Sequence, residues 1–163
     1  MADAIMRHQW ESFLNIGTAS APDYRRMGTG FEDLSDSRNP DVSEKTYISD
    51  AAATKRIRGY SPEWSFNGDA LRDEDVIVYL RDIGITLATG EAAETTYIEF
   101  DVEDVETDLS VVAYRYDVTI QMDSVMGGAG GEEGTFSGTL HGNGDPVKGT
   151  FDTSTNTFSP DVS

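Results

Sequence analysis

Three carboxylates lie at alternate positions in the stretch "TYIEFDVED": Glu99, Asp101 and Glu103. Carboxylates this close in sequence could serve a glycosidase, which needs two of them flanking the scissile bond, one with a raised pKa. They could also bind calcium, although a calcium site is better served by a loop that adds carbonyl ligands. Residues spaced by two share one face of a strand, and on an open face they stay solvated. The spacing therefore favours a solvated strand face over either kind of site.

Other residues that could do chemistry are sparse. His8 and His141 are the two histidines, and no nucleophile-elbow motif accompanies them, which disfavours a Ser-His-Asp triad. The segment "GGAGGEEG" lacks the Lys and Ser/Thr of a phosphate-binding loop, and its two Glu would repel phosphate. It is interpreted as a mobile loop. The sequence therefore predicts no enzyme, no cofactor and no metal site.

The composition bounds the class of protein. The 163 residues include no cysteine, which excludes disulfides and thiolate metal sites. With 30 acidic and 12 basic residues the formal net charge is −18, which would repel duplex DNA over much of the surface. No apolar run approaches the roughly 20 residues of a membrane-spanning helix. The N-terminal "MADAIMRHQWESFLNIG" also lacks the apolar stretch of a signal peptide. One globular domain, made in a cytoplasm and not inserted in a membrane, is expected.

Most of the elements that would position the carboxylates are predicted to be strands. Residues 10–16 form a first strand, and Trp64 and Phe66 alternate with polar residues in another. In "TYIEFDVED" and "YRYDVTIQMDS", clean alternation indicates antiparallel strands with one buried and one wet face. The buried faces are predicted to carry Ile98, Phe100, Val102, Tyr114, Tyr116, Val118, Ile120 and Met122. The wet faces are predicted to carry Glu99, Asp101, Glu103, Arg115, Asp117, Thr119, Gln121 and Asp123.

One helix and one hairpin complete the predicted elements. In "RDEDVIVYLRDIG" the apolar residues Val76, Tyr79, Leu80 and Ile83 lie on one stripe at helical spacing, after three acids that favour a helix start. Gly84 is predicted to end this helix. "FSGTLHGNGDPVKGTFD" is predicted to be two short strands with a tight turn at Asn143–Gly144. A helix packed on a sandwich or barrel of antiparallel strands is the expected architecture.

Residues 17–45 are predicted to be one long connection, rich in glycine, proline and charge. Long loops in compact domains are usually functional or disordered. This segment carries more apolar groups than a plain linker would: Tyr24, Met27, Phe31 and Leu34. Arg25 and Arg26 could form a small basic contact or simply pair with neighbouring acids.

Four stretches together resemble the major tail proteins, the tail tube subunits, of long-tailed, non-contractile bacteriophages. They are "FLNIGTASAPDYRRMGTGFEDL", "NPDVSEKTYISDAAATKRIRGYSPEWSFNGDAL", "DEDVIVYLRDIG" and "GTLHGNGDPVKGTFDTSTNTF", and they cover nearly the whole chain in the expected order. The resemblance implies a single tail tube domain over residues 1–163, without the C-terminal immunoglobulin-like module of some relatives. Its fold would be mainly β: an antiparallel β-sandwich or barrel with one flanking α-helix and long loop extensions.

The resemblance also implies a structural virion protein, assembled in the host cytoplasm and located in the phage tail. Hexameric rings would stack into a hollow tube around a tape-measure protein, and the tube would meet a tail terminator and distal tail or baseplate proteins. DNA would pass through the bore without specific binding.

The resemblance assigns candidate residues to two surfaces. The bore-facing candidates are Glu99, Asp101, Glu103, Asp117 and Asp123, and a wall that carries them would repel DNA. Residues 17–45 are expected to hold the next subunit or ring. The candidate contact residues are Tyr24, Arg25, Arg26, Met27, Phe31, Leu34 and Tyr47.

Two other functional classes remain open from the residues alone. A carboxylate-based hydrolase would have a deep pocket with two facing carboxylates. A β-sandwich binding or adhesion module would stay monomeric at high concentration. The acidity could also serve the solvent or a saline habitat rather than a bore.

Overall fold

The computed structural model describes residues 3–107 and 109–161, which contain ten strands and one α-helix. The strands are β1 (Trp10–Asn15), β2 (Tyr24–Arg26), β3 (Phe31–Ser37), β4 (Pro40–Lys45), β5 (Thr54–Tyr60), β6 (Glu63–Asp69), β7 (Glu94–Thr107), β8 (Ser110–Gly127), β9 (Thr135–Asp152) and β10 (Thr157–Pro160). Helix α1 spans Asp75–Ile85, and short 3-10 turns cover Arg7–Gln9 and Gly90–Ala93. No helix among the described residues is long and apolar enough to cross a membrane.

One eight-stranded antiparallel sheet forms the body of the protein. Its strand order is β2-β1-β7-β8-β9-β6-β3, with β10 paired to β9 beside this path. The sheet curls into a half-barrel with α1 packed against β8. The predicted fold class, mainly antiparallel β with one flanking helix, is therefore confirmed. Strands β4 and β5 stand apart and pair only with each other.

Two hydrophobic clusters occupy the opposite faces of the sheet. The larger lies between α1 and the sheet and contains Trp64, Leu80 and Tyr97. The smaller stacks the rings of Phe13, Phe100 and Phe151, with centroids 5.6, 4.7 and 5.4 Å apart. Because both faces are covered here, β1 buries consecutive residues instead of every second one.

Helix α1 buries the predicted stripe but does not end at Gly84. The buried residues of the helix are Val76, Ile77, Leu80 and Ile83. Gly84 lies inside the helix, where a Cβ atom would collide with the side chain of Val125 on β8. The helix continues to Ile85, and Leu87 takes the left-handed conformation beyond it, with φ of 55°. Gly84 is thus explained by close packing, not by helix termination.

The long connection predicted over residues 17–45 is wrong. This segment contains β2, β3 and β4, and two of these strands belong to the main sheet. Leu34 of β3 lies opposite Phe66 of β6, and Tyr24 of β2 lies opposite Asn15 of β1. The apolar residues of the segment therefore fill the core of their own subunit.

The hairpin predicted at Asn143–Gly144 is also wrong. Strand β9 runs through this point and pairs with β8 on both sides of it. Gly144, with φ of 76°, lies in a bulge where the register shifts between Asn143 and Val147. Strand β8 is 18 residues long and pairs with both halves of β9, so β9 continues through Asn143–Gly144 without a hairpin turn. The glycine-rich segment instead forms the turn from β8 to β9.

The alternation predicted for β7 and β8 is confirmed for most apolar residues and wrong for one carboxylate. Phe100, Val118 and Ile120 are buried, and Val102 is half-buried. Glu99 is only 2% exposed, so the expectation that it is solvated is wrong. Its face of the sheet is the one covered by the larger cluster, a fact that alternation alone could not reveal.

Candidate functional site: assembly and channel surfaces

The detached pair of strands β4 and β5, residues 40–60, is called the ribbon below. Its large apolar side chains are open to solvent: Val42, Tyr47, Ile48, Ile57 and Tyr60 are each more than half exposed. Among the described residues, no hydrogen bond joins residues 41–60 to the body. The ribbon thus exposes five large apolar side chains within 21 residues, whereas the exposed apolar side chains of the body, such as Ile85, Leu87 and Met126, are scattered over several elements.

The two faces of the ribbon differ in chemistry. Val42 lies opposite Ile57 on one face, whereas Ser43 lies opposite Arg56 on the other. Lys45, Arg56 and Arg58 line a shallow hollow of about 430 Å³ on this second face. One face therefore carries an apolar pair next to the charged pair Glu44–Lys55, and the other carries most of the ribbon's cations, in a chain whose formal net charge is −18.

The base of the ribbon is closed by contacts at its entry and exit. Asn39 has a φ of 46°, and its side-chain Nδ2 donates to the Ser61 carbonyl at 3.0 Å. The Ser61 N–H donates to the Arg38 carbonyl, also at 3.0 Å. Next to it, the Gly142 N–H of β9 donates to the Pro62 carbonyl at 2.7 Å. The exit strand is therefore tied to the sheet by its backbone.

The seven predicted contact residues are not brought together. Tyr24, Met27 and Leu34 are buried in the body, and Phe31 packs partly buried against the larger cluster. Arg25 and Arg26 are exposed; they pair with Asp23 at 2.8 Å and with Glu11 at 3.1 Å. Only Tyr47 lies on the ribbon, 60% exposed.

A broad polar surface covers the outer side of β8, β9, β6 and β3, opposite the larger cluster. Cross-strand pairing aligns its side chains: Thr119 with His141, Gln121 with Thr139, and Ser65 with Ser35. We call this surface the polar face; its members are Asp33, Ser35, Ser37, Glu63, Ser65, Asn67, Asp117, Thr119, Gln121, Asp123, Ser137, Thr139, His141 and Asn143. Its charged side chains are carboxylates, and Arg115, two residues before Asp117 on the same side of β8, lies at its border against the ring of Phe158.

Hydrogen bonds link β8 and β9 across the polar face, and β6 approaches them. His141 Nε2 bonds with Gln121 Oε1 at 2.8 Å, and Gln121 Nε2 donates to Asp123 at 2.7 Å. His141 Nδ1 lies 3.4 Å from the carboxylate of Glu63 on β6. These contacts join side chains of neighbouring strands on the polar face.

The predicted bore-facing carboxylates lie on both faces of the sheet. Tyr97 of β7 pairs with Tyr116 of β8, so odd-numbered residues of β7 share a face with even-numbered residues of β8. Asp117 and Asp123 therefore belong to the polar face, while Asp101, opposite Trp10, shares the face of Glu99. A single surface carrying all five carboxylates is excluded by this register.

Glu99 accepts hydrogen bonds on both carboxylate oxygens. Arg38 Nη2 donates to Oε1 at 2.9 Å. Oε2 accepts from Trp64 Nε1 at 3.1 Å, from the Tyr97 hydroxyl at 3.3 Å and from Trp10 Nε1 at 3.4 Å. Four donors thus surround one buried carboxyl group. We call these residues the Glu99 cluster.

The surroundings of Tyr97, Tyr116 and Arg38 raise the pKa of each of these three side chains. Burial and then the negative charge of Glu99 raise the pKa of Tyr97 well above its usual value, and the same two causes raise the pKa of Tyr116. Burial would lower the pKa of Arg38, but its hydrogen bonds to Glu99 and Tyr116 outweigh burial and raise it. Near neutral pH, Arg38 is charged and both tyrosines are neutral.

Sequence reasoning missed two sets of residues. Of the exposed apolar side chains of the ribbon the sequence singled out only Tyr47, because strand alternation there involves only Val42 and Ile57 on one face. Arg38 carried no local signal, since its partner Glu99 is 61 residues away in the chain. Among the described residues, no group of three or more His, Cys, Asp or Glu is arranged to hold a metal ion.

Comparison with known proteins gives the fold alone. No protein-family model and no curated protein matches the chain. The tail of an empty gene transfer agent particle, determined with helical refinement and C6 symmetry, contains a chain with a TM-score of 0.63 and 13% identity, over 88% of this chain and 97% of that one. A chain of the native gene transfer agent virion has a TM-score of 0.62 and 13% identity, over 89% of this chain and 98% of that one.

A third solved structure comes from a different particle. A chain of the six-fold symmetrised baseplate of the anti-feeding prophage has a TM-score of 0.52 and 9% identity, over 94% of this chain and 99% of that one. Each likeness spans nearly the full length of both chains, so it covers the whole fold. This chain therefore shares its fold with chains of a C6-symmetric gene transfer agent tail, of a gene transfer agent virion and of a six-fold symmetrised prophage baseplate.

Proposed function

We propose that this chain is a tail tube subunit, of which six copies form a ring and the rings stack into a hollow tube. The observation that carries the proposal is the ribbon, whose apolar side chains are uncovered in the isolated subunit. Large exposed apolar surface in a folded protein marks an interaction site. The shared fold with a C6-symmetric helical tail supports a neighbouring subunit or ring as the partner.

The charge distribution supports the same partner. The ribbon carries Lys45, Lys55, Arg56 and Arg58 against Asp41, Glu44 and Asp50, so it is slightly cationic, whereas the whole chain has 30 acidic and 12 basic residues. A cationic projection on an anionic body is complementary to a second copy of the same body. This replaces the contact segment expected over residues 17–45, since Tyr24, Met27 and Leu34 are buried in their own subunit.

The polar face is the proposed wall of the bore. Asp117 and Asp123 lie on it, together with hydroxyl and amide side chains, and Arg115 lies at its border. Phosphates would be repelled by the carboxylates of this face. Glu99 takes no part in this wall because it is buried, and Asp101 lies on the other face of the sheet.

The remaining partners follow from the proposed tube. A tape-measure protein would occupy the bore during assembly, a terminator and distal tail or baseplate proteins would cap its ends, and DNA would later pass through without specific binding. The protein would act in the virion tail after assembly in the host cytoplasm. No catalytic step is assigned to it, and both oxygens of Glu99 are already hydrogen-bonded within the subunit.

Negative-stain microscopy of two proteins tests the proposal. The first is the unaltered chain, which should form rings or tubes with six-fold symmetry as its concentration rises. The second is the variant Val42→Ser/Ile57→Ser, which removes the apolar pair of the ribbon and should stay a monomer with an unchanged unfolding curve. A wild-type chain that remains monomeric at every concentration would contradict the tube. Tubes of normal length from the variant would contradict the role of the ribbon.

A further inference from the structure

We propose that Arg38 is a latch that fixes the orientation of the ribbon relative to the body. The residue stands between Ser37, the last residue of β3, and Pro40, the first residue of β4. Its side chain points into the body, and its carbonyl accepts the hydrogen bond that closes the base of the ribbon. Arg38 therefore joins the ribbon to the core on its entry side, while the hydrogen bond from Gly142 to Pro62 ties the exit side to the sheet.

The side chain of Arg38 is held from several sides. Nη1 donates to the Tyr116 hydroxyl and Nη2 to Glu99, each at 2.9 Å. The guanidinium carbon lies 5.6 Å from the ring centroids of both Trp64 and Tyr116, within cation–π range. Asp36 adds a second carboxylate at 2.9 Å. A planar guanidinium with this many fixed partners has one orientation, which a Lys ammonium would not reproduce.

Glu99 makes this contact costly to break. A carboxylate that is 2% exposed would be left with its charge poorly compensated if Arg38 swung away, and an unpaired buried charge is strongly destabilising. The pair between Arg26 and Glu11, at 3.1 Å, has a smaller penalty because the Glu11 side chain keeps 19% of its surface exposed, against 3% for Glu99. A rotation of the ribbon that pulls Arg38 out of the cluster is therefore opposed. Among the described residues 41–60, no hydrogen bond to the body adds to this restraint.

The consequence for assembly rests on the proposed function, but the latch itself does not. A fixed orientation means that the ribbon reaches a neighbouring subunit already positioned, so less conformational freedom is lost on binding. The latch is thus a positioning device for the assembly surface, and it is measurable in a single subunit whether or not tubes form.

Pulsed electron paramagnetic resonance measures the orientation directly. The chain has no cysteine, so nitroxides attached to Glu44→Cys on the ribbon and Asn67→Cys on the body are the only labels. The distance distribution is recorded for dilute, unassembled subunits carrying wild-type Arg38, Arg38→Met, Arg38→Met/Glu99→Gln, or the control Arg26→Met. Resistance to denaturant is measured in parallel for each.

The expected pattern separates positioning from stability. Wild type and Arg26→Met should give the same narrow distribution. Arg38→Met should broaden or shift it and lower stability, and the double variant should recover stability because no buried charge is left unpaired, while its distribution stays broad. If the single variant does not fold, Arg38→Lys should still broaden the distribution.

A folded double variant with the wild-type distance distribution would overturn the latch. This outcome is independent of microscopy of the tubes. A broad distribution in the variants together with a wild-type chain that never assembles would support the latch and reject the tail tube. Normal tubes together with unchanged distances in the variants would support the tail tube and reject the latch.

Discussion

The body and the ribbon are both built from antiparallel strands, but large apolar side chains are mostly buried in the body and exposed on the ribbon. Ile98 on β7 is fully buried, whereas Ile57 on β5 is 57% exposed. Strand β7 has a neighbour on each side and clusters on both faces, while β5 pairs with one strand only. The exposure of an isoleucine in a β-strand thus depends on how many strands and side-chain clusters surround that strand.

That difference indicates that the ribbon is stabilised less by its own fold than the body is. A two-stranded ribbon alone is marginally stable in water, because neither face is covered. The body is stabilised by its own burial, so it should tolerate changes in the ribbon without loss of fold. The ribbon in turn should gain protection only from its base and from whatever covers it. Four predictions follow this contrast.

The largest effect is expected from aromatic truncation. Phe100→Ala removes a ring from the stack with Phe13 and Phe151 and should lower the free energy of unfolding by about 3–5 kcal/mol. Tyr47→Ala, on the ribbon, should change it by less than about 0.5 kcal/mol. Denaturant titration of both variants measures the difference. Similar costs for the two would mean that the ribbon is packed against the body after all.

A smaller effect is expected from filling glycine positions. A Cβ at Gly68 of β6 would collide with the backbone of Gly30, which has no flexible atoms to move aside. Gly68→Ala should therefore destabilise by about 1–3 kcal/mol. Gly59 of the ribbon has nothing within 4 Å of such a Cβ, so Gly59→Ala should be nearly neutral. Thermal unfolding of the pair tests this; a costly Gly59→Ala would reveal a hidden contact of the ribbon.

High pH should weaken the body through two tyrosines. The pKa values of Tyr97 and Tyr116 are raised in the folded state by burial and by Glu99. Both are protonated in either state below the unfolded pKa of about 10, and above it the unfolded chain releases protons that the fold retains. Stability should therefore fall as pH rises past 10 until the pH reaches the raised pKa values of the folded state, and the slope from the fully buried Tyr97 should be at most about 1.4 kcal/mol per pH unit. Phenolate absorbance followed with unfolding measures this.

The alkaline effect should belong to the body alone. A variant in which a short glycine-serine linker replaces residues 41–59 keeps both tyrosines and should lose stability over the same pH range. A flat stability profile between pH 9 and 11 in either protein would contradict the burial of the cluster.

The smallest effect on stability is expected on the polar face. Asp117→Lys/Asp123→Lys changes two exposed side chains and should shift the free energy of unfolding by less than about 0.5 kcal/mol. In assembled tails it should slow DNA ejection, and added salt should relieve the delay by screening. Glu132→Lys/Glu133→Lys, in the turn between β8 and β9, makes the same charge change away from this face. Equal ejection rates for all three proteins at every salt concentration would remove the polar face from the bore.

Local patterns in the sequence account for much of the body. Strict alternation in β7 and β8 predicted Phe100, Val118 and Ile120 as buried, because the period of two is a property of the strand itself. Helical spacing likewise predicted the stripe of α1. These features depend on neighbouring residues in the chain, so they can be read without knowledge of the fold.

Turn signals were a weaker guide. Asn143–Gly144 has the composition of a tight hairpin turn, yet only a bulge forms there because β8 continues alongside. Gly84 resembles a helix stop, yet it is required by the approach of Val125. In both cases the local preference permits several outcomes, and a segment distant in sequence selects one.

The sequence alone determined an antiparallel β protein with one amphipathic helix, no cysteine chemistry and a strong negative charge, because composition and periodicity are local. The tertiary structure decided which face of each strand is covered. It buried Glu99 beneath Trp10, Trp64 and Arg38, placed Asp117 on the opposite side of the sheet, and left the ribbon outside. Those outcomes depend on strand order and register, which arise from contacts between residues far apart in the chain.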